Sequence, residues 1–125
     1  MLYKLDEDGE VAICDVKTDG DPFQDERRMI AKHTFRIRPH RWRPWKRVSI
    51  QVSTVFLCVD HAFGEDEPVL WETMLFTRFD PLENSCWRYT SRQKALAGHH
   101  AICARLERNE ISRVDEVGPF VDPVM

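Results

Sequence analysis

Val48-Ser49-Ile50-Gln51-Val52-Ser53-Thr54-Val55-Phe56-Leu57-Cys58-Val59 is the stretch that decides the fold. Its first half alternates apolar and polar residues, the period-2 pattern of a half-exposed strand. From Thr54 onward both faces turn apolar, which places that end in the interior of a sheet. A polar loop, His61 to Pro68, separates it from Val69 to Phe76. There Val69, Trp71, Thr73 and Leu75 fall on one face, and Leu70, Glu72, Met74 and Phe76 on the other. So short a connection favours an antiparallel pair. Trp87 to Tyr89 supplies a third strand.

Working outward, Leu2 to Leu5 and Glu10 to Cys14 read as a hairpin turned by Asp8-Gly9. Asp21-Pro22 predicts a helix start, with the aspartate as cap, running to about Ala31. His33 to Arg38 alternates as another strand. Downstream, Thr90-Ser91-Arg92-Gln93 has capping-box form, with Thr90 as the cap. The helix behind it sets Ala95, Leu96, His99, Ile102, Cys103 and Leu106 on one stripe. Gly98 in mid-helix costs about 1 kcal/mol relative to alanine, so a close backbone approach is expected there. Residues 109–125 lose periodicity and read as an extended or flexible tail. The expectation is an α+β domain spanning 1–125: a small antiparallel sheet with a C-terminal amphipathic helix packed across it.

Composition agrees with a packed core. Of 125 residues, 42% are hydrophobic and 31% charged, which excludes a wholly disordered chain. The longest apolar run, Val55 to Val59, is far short of the roughly 20 residues that span a bilayer. Met1 to Asp6 lacks a basic segment followed by an apolar one, so no secretory signal is read there. A cytoplasmic, non-membrane protein is expected. Cys14, Cys58, Cys86 and Cys103 form no CxxC pair and are expected to be reduced thiols.

Charge is segregated along the chain. Residues 1–31 carry a net charge of −5, residues 32–47 a net +7 without a single acid, and residues 48–125 a net −5. Arg38-Pro39 and Arg43-Pro44 favour extended backbone, so 39–47 reads as a basic Trp/Pro loop rather than a recognition helix. Arg38, Arg41, Trp42, Arg43, Trp45, Lys46 and Arg47 are its candidate binding residues. Exposed aromatics beside arginines suit an interface anchor, and the same set suits phosphate contact with base stacking. The loop equally suits docking on the chain's own acidic N-terminal segment.

Acid–base or metal chemistry would draw on Asp60, His61, Glu72 and His99, with His100 adjacent. If the two central strands pair around the 61–68 loop, Asp60 lies opposite residue 69 or 70, with Glu72 about 7 Å along. His99 on the helix's apolar stripe should face the sheet. The bland alternative is a structural polar cluster in which Glu72 and His99 satisfy one another. The spacing matches no HExxH motif, and no GxSxG, phosphate loop or Rossmann fingerprint appears. No cofactor is expected.

Val52-Ser53-Thr54-Val55-Phe56-Leu57, Asp60-His61, Phe63-Gly64, Pro68, Glu72-Thr73-Met74 and Phe76 recur in one order with Arg88-Tyr89-Thr90-Ser91, Ala95, Ala97, Gly98 and His99. In this the chain resembles a group of short uncharacterised proteins encoded by bacteriophages and prophages, over residues 48–106. The resemblance implies a phage or prophage context in a bacterial host and carries little chemistry. The Arg-Trp-Pro segment at 36–47 and the tail after Arg108 depart from the group's pattern.

The expectation is therefore a non-catalytic phage accessory protein that binds another macromolecule, a host or phage protein first. Nucleic-acid binding through 36–47 is the alternative, and a metal-dependent hydrolase using Asp60, His61, Glu72 and His99 a further one. The unpaired edge of a small sheet offers a route to a homodimer.

Overall fold

The computed structural model describes residues 2–38, 42–43, 45–59, 68–79 and 85–108. Near the N-terminus, β1 (Tyr3–Leu5) and β2 (Val11–Ile13) pair antiparallel, Tyr3 opposite Ile13. The turn closes because the Asp6 carboxylate accepts from the N–H groups of Asp8 and Glu10, both at 2.9 Å. Gly9 takes a φ of 82°, open to glycine at little cost. The expected hairpin is present.

The expected helix from Asp21 to Ala31 is not. After a single turn, α1 (Val16–Asp19), Asp21 does cap, accepting from Phe23 N–H at 2.9 Å with Pro22 at the first position. What it caps is one 3-10 turn, Pro22–Gln24. Asp25 then accepts from Arg27 N–H and starts a second, Glu26–Arg28. Both aspartates hold extended backbone, so a cap every four residues restarts the chain before an α-helix can propagate. Strand β3 (Met29–Ile37) therefore begins four residues before His33.

The main sheet is an antiparallel meander in the order β3-β4-β5-β6, with β4 (Val48–Phe56), β5 (Trp71–Thr77) and β6 (Cys86–Tyr89). Its register sets His33 opposite Val52, Thr54 opposite Thr73, and Glu72 opposite Arg88. Strand β4 is interior, as its two-sided apolar end implies. It stops at Phe56 because Cys58 takes a φ of 66°, a left-handed conformation unfavourable to a side chain. That bend aims the Cys58 carbonyl at β1, where Tyr3 N–H donates to it at 2.8 Å. Leu57 N–H still donates to Leu70 C=O, so the position opposite Leu70 belongs to Leu57 rather than Asp60.

Helix α2 (Arg92–Glu107) packs across all four strands. Its cap is Ser91, not Thr90: Ser91 Oγ accepts from Lys94 N–H at 3.1 Å, while Thr90 Oγ1 takes the Lys94 ammonium. The buried stripe is Ala95, Gly98, His99, Ile102 and Leu106, with Leu96 and Cys103 half-buried. Between helix and sheet lie Ile37, Ile50, Val52, Phe56, Trp71, Leu75, Trp87 and Tyr89, and Leu5 joins from the hairpin. All four cysteines are free thiols. Among the described residues no helix is long and apolar enough to cross a membrane. The tail at 109–125 lies outside the described residues.

Candidate functional site

A polar chain threads the interface between helix and sheet. Tyr89 Oη donates to Thr73 Oγ1 at 2.9 Å, and Thr73 and Thr54, opposite one another on β5 and β4, share a hydroxyl hydrogen bond. Thr54 Oγ1 meets His99 Nδ1 at 2.7 Å, and His99 Nε2 meets His33 Nδ1 at 2.8 Å. Each strand of the meander thus contributes one member, and α2 inserts the imidazole between them. His99 is fully buried, whereas His33 is exposed. Burial, with smaller contributions from His33 and His100, pushes His99 down to about 4, so its ring is neutral at neutral pH. Burial likewise pushes the Tyr89 hydroxyl up to about 12. Cys103, one turn beyond His99, is pushed up to about 11 by burial and by Glu107.

Of the four residues considered for metal chemistry, the two that are described, Glu72 and His99, are kept apart by the sheet. Thr73 faces the helix, so its neighbour Glu72 points out of the opposite face of the sheet. There Glu72 Oε2 accepts from Arg88 Nε at 2.9 Å, a cross-strand ion pair. Glu72 and His99 are on opposite sides of a β-sheet and cannot satisfy each other. Asp60 and His61 lie outside the described residues. His100 sits edge-on to His99, ring centroids 5.8 Å apart, with its side chain exposed.

The second feature is the sheet face that α2 leaves uncovered. By strand alternation it carries Lys32, Thr34 and Arg36 from β3, and Ser49 and Gln51 from β4. Strands β5 and β6 add Glu72, Phe76 and Arg88. An open groove of about 680 Å³ runs along this face, lined by Thr34, Arg47, Gln51, Phe76, Thr77 and Arg78 among others. Phe76 is half exposed to solvent at its floor. At the tip of the β3–β4 hairpin, Trp42 and Trp45 are 85% and 72% exposed, with Arg38, Arg43, Lys46 and Arg47 also exposed. Lys46 N–H donates to Arg43 C=O at 2.9 Å, across Trp45. Arg41 lies outside the described residues.

The acidic N-terminal segment is at the other end of the molecule. It is tied to the Phe56 end of β4 through Arg28 Nε to Phe56 C=O and Tyr3 N–H to Cys58 C=O. The hairpin tip leaves from Ile37 and Val48, one nine-residue strand away, roughly 27 Å at the usual rise. The acids are also engaged locally. Asp6, Asp15, Asp21 and Asp25 hold turn and cap N–H groups, and Asp19 bonds Lys4 at 2.7 Å, which keeps its carboxyl below the usual range. The strand ends from which the basic loop leaves, Ile37 and Val48, are thus a full strand length from this segment.

Sequence reasoning missed His33, Thr54, Thr73 and Tyr89 as one hydrogen-bonded group, and it missed the dispersed cations of the open face. Period-2 reading of β3 carries the signal: His33 is in phase with Phe35 and Ile37, and Lys32, Arg36 and Arg38 are in the opposite phase. The chain matches no protein-family model, no curated protein and no solved structure.

Proposed function

We propose that this chain is a non-catalytic binding protein whose partner is single-stranded nucleic acid, engaged by the hairpin tip and the uncovered face of the sheet. The observation that carries this reading is that Trp42 and Trp45 are largely exposed on the loop leading into Arg47, which with Arg78 lines the open groove. Arginines neutralise backbone phosphates, while exposed aromatics offer stacking platforms for bases of any sequence. Phe76 on the groove floor adds a third such ring. The cations of the open face are what favour nucleic acid over the protein partner that the loop alone suggested. A protein interface would draw on the tryptophans without requiring exposed arginines at Arg36 and Arg78. The resemblance to phage and prophage proteins supports an accessory role in the cytoplasm of a bacterial host.

Tryptophan fluorescence titration with single-stranded DNA and RNA homopolymers at low salt tests this. Saturable quenching is expected, lost in the Trp42→Ala/Trp45→Ala variant and weakened in Arg36→Ser/Arg78→Ser. Absence of any quenching by either polymer overturns the reading. If a host protein is then captured by wild type but not by the tryptophan variant, the surface serves a protein instead.

A further inference from the structure

We propose that His33, His99 and Cys103 form a binding site for a zinc ion, held between β3 and α2. Their ligand atoms, two imidazole nitrogens and one thiol sulfur, all lie within 4.8 Å of one another. His99 and Cys103 are four residues apart on α2, so both side chains project from one face, one turn apart. His33 reaches them from the strand beneath.

The orientation of His99 is fixed from behind. Thr54 Oγ1, buried and itself hydrogen-bonded to Thr73, meets Nδ1 at 2.7 Å, which aims Nε2 at His33. This is the arrangement by which outer residues set the tautomer and direction of a metal-ligating histidine. With Nδ1 donating to Thr54, the Nε2 lone pair points into the space shared with His33 Nδ1, 2.8 Å away. Without metal, a single hydrogen can bridge the two nitrogens. Two nitrogens bound tetrahedrally to zinc at about 2.05 Å stand roughly 3.3 Å apart, so the rings need part by only about half an ångström. Rotation of the half-buried Cys103 side chain closes the sulfur.

The donor set selects the ion. Imidazole and thiolate suit borderline-soft zinc, whereas magnesium and calcium require oxygen ligands. His33 is exposed, which gives the ion a path from solvent and leaves a fourth position to water. On binding, the Cys103 thiol gives up its proton to solvent as the zinc–sulfur bond forms. The hydrogen on His33 Nδ1 is lost as that nitrogen takes the metal, and Nε2 gains one. One proton is therefore released per ion, with no oxidation or reduction.

Titration of the full, metal-stripped chain with Co2+ reads this directly. Expected are the intense visible bands of tetrahedral cobalt with a near-ultraviolet thiolate-to-cobalt charge-transfer band, both displaced by one equivalent of Zn2+. Cys103→Ser should lose the charge-transfer band although three other cysteines remain. His33→Ala, at an exposed position, should weaken Co2+ binding by tenfold or more while far-ultraviolet circular dichroism stays unchanged. Thr54→Val should weaken it by roughly 10–100-fold. No charge-transfer band in the wild type, or wild-type affinity in both Cys103→Ser and His33→Ala, overturns the site.

Discussion

At Gly98 a Cβ would stand 2.5 Å from Tyr89 Oη and 2.6 Å from the ring's Cε1. Tyr89 is fully buried and held by Thr73, so it has nowhere to retreat. Gly98→Ala should therefore destabilise the fold by about 1–3 kcal/mol, measured by urea denaturation, despite alanine's better helix propensity. An unchanged midpoint would mean the contact is looser than described. The neighbouring His99 is the residue most legible in the sequence, because helical spacing alone puts it on the apolar stripe. Its partner was not legible. Glu72 looked like the natural counter-group, yet strand alternation sends it to the other face, and Thr54, which meets His99 Nδ1, carries no sequence mark of its own. A hydroxyl on a strand is common; only the register that sets Thr54 against Thr73 makes it part of a chain.

At the scale of elements, α2 and the strands it covers were readable because amphipathic period and burial agree. Boundaries were less so. Cys58 ends β4 by backbone strain that no hydrophobic pattern reports, and paired aspartate caps broke the expected helix after Asp21 into two 3-10 turns. The α2 cap moved by one residue because Ser91, still extended, sits where its oxygen reaches Lys94 N–H. Ser91→Ala should thus cost about 1 kcal/mol in thermal or urea denaturation, and Thr90→Ala distinctly less. The reverse order would restore Thr90 as the cap. The helix also imposes a pH dependence on the metal-free protein. His99 has a folded pKa near 4 against about 6.5 unfolded, so below pH 6.5 the unfolded chain binds the extra proton. Its contribution is complete above pH 6.5 and is lost as pH falls toward 4, up to about 3 kcal/mol in total. Stability measured across that interval should fall more steeply in wild type than in His99→Gln; parallel curves would count against a neutral, buried ring.

Over the whole molecule, charge is sorted by the fold as well as by the sequence. The run of bases at 32–47 was visible at once. Its continuation onto the open face through Arg78 was not, because those residues are separated by about 30 positions and meet only through the meander. At the far end, Asp6, Asp15, Asp21 and Asp25 are engaged in turns and caps. A molecule with net charge −3 can therefore present one strongly positive surface to an anionic polymer. Each phosphate neutralised on a single strand contributes about 0.7 to the slope of log affinity against log salt. The most direct measurement is this slope for a single-stranded oligonucleotide, in wild type and in Arg36→Ser/Arg78→Ser. A steep wild-type dependence, shallower by about 1.4 in the variant, is the predicted result; binding that ignores salt, or identical slopes for the two proteins, would contradict it.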